Sequence, residues 1–139
     1  MNPFARMFLG AGRIDEPLRS ELQAAGPQVF EEGLTGSIVY RNYREPGFRA
    51  GIQKNGAAAA IVVTADRLVV WVSRGRNSGR HIDVPIEMGR PAGIEVGTDG
   101  PDRVTFKYDP GVFHPDRSGS VEVRLKTPSA QSIAQRLEV

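Results

Sequence analysis

The chain holds two histidines, and each is followed two residues later by an aspartate, as His81/Asp83 and His114/Asp116. Residues two apart on a strand project from one face, so His81 and Asp83 can share a ligand, whereas His114-Pro115-Asp116 reads as part of a loop. Were the fold to bring the pairs together, two imidazoles and two carboxylates would suit a divalent metal. Such pairs are nonspecific, and outward-facing His and Asp on a strand are more often plain surface residues. Ser118 and Ser120 beside His114 and Asp116 imitate a hydrolase set, but such sets are recognised by geometry, and no Gly-x-Ser-x-Gly element accompanies them. Gly10-Ala11-Gly12 lacks the third glycine and preceding strand of a dinucleotide fingerprint. Cysteine is absent, which excludes disulfides, thiolate metal sites and a cysteine nucleophile. No catalytic residue, metal or cofactor is assigned.

Binding chemistry is better represented. The segment Arg74-Gly75-Arg76-Asn77-Ser78-Gly79-Arg80 is the densest positive charge in the chain, with glycines that let backbone amides turn towards an anion. Its three guanidiniums offer paired donors to phosphate or carboxylate. Arg74, Arg76 and Arg80 are predicted ligand-binding residues; the alternative is a solvated hairpin loop whose arginines aid solubility. The net charge of +2 is too small to imply nucleic acid, and none is predicted as a partner.

The elements that must position these residues are mostly strands. At 139 residues, with 40% hydrophobic and 24% charged side chains, the chain suits one soluble domain with a real core. Residues 1–13 show no sustained period and read as a flexible arm; residues 14–139 form the domain. Asp15 is placed to cap a short helix carrying Leu18, Leu22 and Ala25 on one face, which Gly26-Pro27 stops. Residues 34–43 read as a strand broken by Arg44-Glu45-Pro46-Gly47. Residues 48–54 read as a second, ended by the hairpin signal Asn55-Gly56. Residues 57–64 and 67–73 flank the tight connection Ala65-Asp66 and make the centre of the sheet. Cleaner alternation follows in Ile82/Val84/Ile86, Ile94/Val96, Val104/Phe106/Tyr108 and Val121/Val123/Leu125, giving seven or eight strands. Residues 111–119 read as an irregular loop. Thr127-Pro128 then opens a helix over residues 128–137 whose stripe of Ala130, Ile133, Ala134 and Leu137 must pack on the barrel, being too short to stand alone.

The fold predicted is mainly β, a small antiparallel barrel or two orthogonal sheets, with a C-terminal amphipathic helix and a short N-terminal helix. Ile61-Val62-Val63-Thr64-Ala65-Asp66-Arg67-Leu68-Val69-Val70-Trp71, and Val121-Glu122-Val123-Arg124-Leu125-Lys126-Thr127-Pro128 running into the closing helix, resemble the bacterial pleckstrin-homology-like domain over residues 34–139. That resemblance implies a scaffold for phosphoinositide head groups, peptides or proteins, without catalysis, with basic residues of the first hairpin making phosphate contacts; here these are Arg44 and Arg49, with Arg41 nearby, a group interrupted by Glu45 and Pro46.

Trp71 and Val69 face away from Leu68, Val70 and Val72, so both sides of that strand are apolar. Burial beneath the N-terminal segment or helix is expected, with a homodimer or an exposed partner site as alternatives. No stretch approaches the roughly 20 apolar residues that span a bilayer, and no leader pattern opens the chain, so the expected location is cytoplasmic with any membrane contact peripheral. The functional reading is a non-enzymatic module that recognises a protein partner, or weakly an anionic lipid or phosphate head group. The alternatives are a small carrier holding an apolar ligand inside the barrel and, third, a metal-dependent enzyme using the His-x-Asp pairs.

Overall fold

A computed structural model describes residues 12–74 and 77–137, without the side chains of 74, 77, 78 and 80. Helix α1 (Leu18–Ala24) precedes strands β1 (Val29–Glu45), β2 (Phe48–Val63), β3 (Arg67–Arg74), β4 (Asn77–Glu87), β5 (Arg90–Pro91), β6 (Glu95–Thr98), β7 (Arg103–Tyr108) and β8 (Ser118–Lys126), and helix α2 (Ala130–Leu137) ends the described chain. The strands form an antiparallel sheet in the order β5-β4-β3-β2-β1-β8-β7-β6, curled into a nearly closed barrel.

Alternation decides what the barrel encloses. Ile38, Ile61, Leu68, Val70, Ile82, Val84, Val104, Phe106, Val123 and Leu125 point inward and fill the interior with branched and aromatic side chains. Ala130, Ile133, Ala134 and Leu137 of α2 join the same core, as their helical spacing predicts. Two bonds place α2 at one end of the barrel: Arg136 donates to Gln28, just before β1, and Gln131 donates to the Gly100 carbonyl, ahead of β7. Thr127 prepares its entry by accepting from the Ser129 amide at 3.0 Å while its hydroxyl donates to Glu31.

A second apolar cluster covers the outside of β2 and β3, where Ile14, Leu18 and Leu22 pack on Ala60, Val62, Val69 and Trp71. Trp71 is therefore buried by the N-terminal segment and α1, as expected, with 7% of its surface exposed. Its emission should be blue-shifted and poorly quenched by acrylamide, and Leu22→Ala should cost about 2–3 kcal/mol, read by urea unfolding. An emission maximum like that of free tryptophan in the native protein would contradict this packing.

Several local readings are corrected. Asn55-Gly56 is not a turn: β2 runs straight through it, because β1 offers a continuous partner, Asn55 lying opposite Ile38 and Gly56 opposite Ser37. Long-range pairing overrides the local signal. The real turn is Pro46-Gly47, where Gly47 takes a φ of 81° and Glu45 pairs with Phe48. Asp15 does not cap α1; Glu16 accepts from the Ser20 hydroxyl and amide instead, and Ala25 is exposed. β1 begins at Val29 rather than residue 34, and the two-residue β5 escaped the pattern entirely. Gly12, assigned to the arm, is buried: its amide donates to Ser73 Oγ and its carbonyl accepts from Gly33. Residues 1–11 lie outside the described residues.

Candidate functional site

Two β-bulges shape the barrel end opposite α2. In β1 the register against β8 shifts between Arg41 and Arg44, with Asn42 at a φ of 50°. Strict alternation from Ile38 and Tyr40 would turn Tyr43 outward; the bulge brings it into the core, 5% exposed, with its ring centroid 4.9 Å from that of Tyr40. In β4 the register against β3 shifts so that Val70 pairs with Ile82 but Trp71 with Arg80, leaving His81 as the extra residue. His81 Nε2 lies 2.8 Å from the Tyr108 hydroxyl. That bond joins β4 to β7, strands near the two ends of the sheet that no ladder connects among the described residues.

Between these features lies a pocket of about 270 Å³. Tyr40, Tyr43, Tyr108 and Phe113 supply aromatic walls, Ile82, Val84 and Val121 an aliphatic floor, and His81, Asp83, His114 and Arg117 the polar groups. Phe113 arrives on the loop after β7, where Asp109 caps a 3-10 turn (Pro110–Val112) by accepting from the Gly111 amide at 2.8 Å. Its ring meets Tyr108 edge-on at 5.6 Å. A dry cavity of about 150 Å³ takes a benzene ring, so this one has room for a substituted ring.

The polar groups are mostly donors. Burial pushes the Tyr108 phenol well above its ordinary pKa. Burial also raises that of Tyr43, with the carboxylate of Glu45 assisting. Both therefore stay protonated near neutral pH and present hydroxyl donors. Arg117 approaches Glu45, Nε to Oε2 being 3.7 Å, but that nitrogen is buried and makes no hydrogen bond.

The structure thus brings both histidines to one pocket but does not assemble the His-x-Asp metal set. Asp83 borders the pocket with its carboxylate gripped by Arg67, at 2.7 Å to Nε and 2.6 Å to Nη2, and Arg67 also reaches Glu21 of α1. Asp116 stays on the exposed loop, and no group of three or more potential metal ligands forms among the described residues. Arg44 and Arg49 face each other across the β1–β2 hairpin, exposed, outside the pocket. Arg76 and the side chains of Arg74 and Arg80 lie outside the described residues. Sequence reasoning missed Tyr40, Tyr43, Tyr108, Phe113 and Arg117 as site residues. The available signal was tyrosine at inward strand positions otherwise filled by aliphatics, since a buried phenol needs a partner or an opening.

Comparison with protein-family models, curated proteins and solved structures finds no match.

Proposed function

We propose that this chain is a non-enzymatic binding module, a pleckstrin-homology-like barrel whose ligand site is the mouth pocket, and that it takes a small aromatic acid. The observation that carries this reading is Arg117: a buried Nε without a hydrogen bond on the wall of a ring-sized aromatic pocket. A ring fits among Tyr40, Tyr108 and Phe113, and a carboxylate then satisfies Arg117 with help from nearby hydroxyls. The raised phenol pKa values support binding rather than proton transfer, because a phenol held protonated is a poor general base near neutral pH.

Benzoate is the first probe, with benzyl alcohol as its neutral counterpart, titrated while the histidine and tyrosine resonances are followed by NMR. Saturable shifts centred on His81, His114 and Tyr108 are expected, with benzoate affinity falling at least tenfold in Arg117→Leu. If neither compound perturbs these residues, the reading fails.

A protein partner, the reading first drawn from the sequence, keeps one supporting observation. β3 pairs with β2 only over residues 58–63, so among the described residues the outer backbone edge of 48–57 has no strand beside it. Such an edge is a template for an added strand. The amide groups of 48–57 that point to this edge should exchange fast in the isolated protein; slow exchange there would remove this reading.

A further inference from the structure

A second concavity lies on the outer face of β2, β1, β8 and β7, lined by none of the residues of the mouth pocket and enclosing about 300 Å³. Its floor is made of short side chains. Ser37 on β1 sits between Gly56 on β2 and Arg124 on β8, and Thr35 lies two residues further along the same face of β1. A Cβ built on Gly56 would meet nothing within 4 Å, so the hollow is open above it.

Its walls are cationic. Lys54 stands on the β2 side, and Arg124, Lys126 and Arg103 on the β8 and β7 side; no carboxylate is among the lining residues. Arg124 is held by Glu122 at 2.6 Å and Arg103 lies 3.6 Å from Asp99, so both guanidiniums are oriented by acids outside the hollow. Among the described residues Lys54 and Lys126 have no carboxylate partner, and both are exposed. Arg103 and Lys126 are directly opposed in the ladder, an arrangement of like charges that destabilises a sheet. In a chain whose net charge is only +2, four cations around one hydroxyl-lined hollow are a local concentration that folding does not require.

We infer that this hollow is a phosphate-binding site. The chemistry matches at each point: Arg124 and Arg103 offer planar paired donors, Lys54 and Lys126 add charge from opposite sides, and Ser37 and Thr35 donate hydroxyls from the floor. Neighbouring strands are about 4.8 Å apart, so β2 and β8, on either side of β1, are separated by about 10 Å. Lysine and arginine side chains reaching in from both walls can close on one anion in that gap, and the several oxygens of a phosphate or diphosphate accept from more of these donors than the two of a carboxylate. The phosphate belongs to a soluble ester or to a lipid head group, the same chemistry in either case.

The test uses the whole chain with pyrophosphate in solution, and separately vesicles of phosphatidylcholine with and without phosphatidate. Gly56→Glu fills the hollow with an acid at a position where the backbone accepts a side chain, and Lys126→Glu reverses one wall. Saturable pyrophosphate binding that weakens at least tenfold in both variants, and survives in Arg49→Gln and Arg117→Leu, is the expected result. Retained thermal midpoints show that the variants are folded. Binding only to phosphatidate vesicles, lost in the same two variants, supports the site and assigns the phosphate to lipid. No binding to either probe, or binding indifferent to Gly56→Glu and Lys126→Glu, overturns it. Failure here leaves benzoate binding untouched, because the two sites share no residue.

Discussion

Gly119→Ala should cost roughly 3 kcal/mol and disable the mouth pocket at the same time. Gly119 holds a φ of 102°, where L side chains are strained, and a Cβ there would lie 2.4 Å from the Asn42 carbonyl oxygen and 2.7 Å from that of Arg41. Backbone strain of this kind contributes about 1–3 kcal/mol, and overpacking against atoms that cannot rotate away contributes about as much again. The obstruction falls on the bulge that turns Tyr43 inward, so relief can come only by moving Asn42 and, with it, Tyr43 against Tyr40. Urea unfolding should show the loss of stability. Benzoate affinity, measured under conditions where the variant is still folded, should fall as well. Gly51→Ala is the control, since nothing lies within 4 Å of its Cβ and its φ is unexceptional; its stability should stay within about 0.5 kcal/mol of the parent. Equal stability of Gly119→Ala and Gly51→Ala would show that the bulge is not clamped by Gly119.

The bulges also mark where sequence reasoning stopped. Period-two patterning was enough to place β4, β7, β8 and the α2 stripe, because one buried face leaves the same trace in any antiparallel sheet. The tight β2–β3 connection was equally legible: the Thr64 hydroxyl meets Asp66 at 3.0 Å and the Thr64 amide donates to the Arg67 carbonyl, so the turn is held by the residues that announced it. Asn55-Gly56 announced a turn just as clearly and is none, since a local signal of this kind carries about the weight of one turn while β1 offers a long ladder. The pocket lay deeper still. Tyr40 and Tyr43 are three apart, a spacing that breaks strand alternation and reads as a fault in the pattern until the bulge at Asn42 explains it. His81 and Tyr108 are 27 residues apart and meet only because the sheet curls far enough to bring β4 towards β7. The outer hollow was hidden for a similar reason: Lys54, Arg103, Arg124 and Lys126 never form a run in the sequence, and only the register of β7, β8, β1 and β2 gathers them.

The two ends of the barrel differ in polarity. The end where β1 starts is sealed by α2 with aliphatic side chains. The opposite end replaces aliphatics with tyrosines and histidines, and there the interior opens. A carrier in which the whole barrel holds ligand is disfavoured by Phe106, Val104, Leu68 and Val70, which leave no exposed surface and occupy the interior themselves. The open space that the proposed ligand would occupy ends at the tyrosines.

The same polarity makes α2 a structural plug, and Ile133→Asp should unfold the domain. Ile133 is fully buried in the main core, so truncating it to Ala alone should cost about 2–5 kcal/mol. Aspartate adds an unpaired buried carboxylate, worth several kcal/mol more. Against a typical stability of about 5–15 kcal/mol, the sum leaves little or no native state. Circular dichroism should show lost β signal for Ile133→Asp, a lowered urea midpoint for Ile133→Ala, and no change for Gln135→Ala, whose side chain is exposed on the far face of the same helix. If Ile133→Asp instead keeps a cooperative β fold and merely frees the helix, α2 is a detachable lid, and the sealed end of the barrel becomes a second entrance to the core.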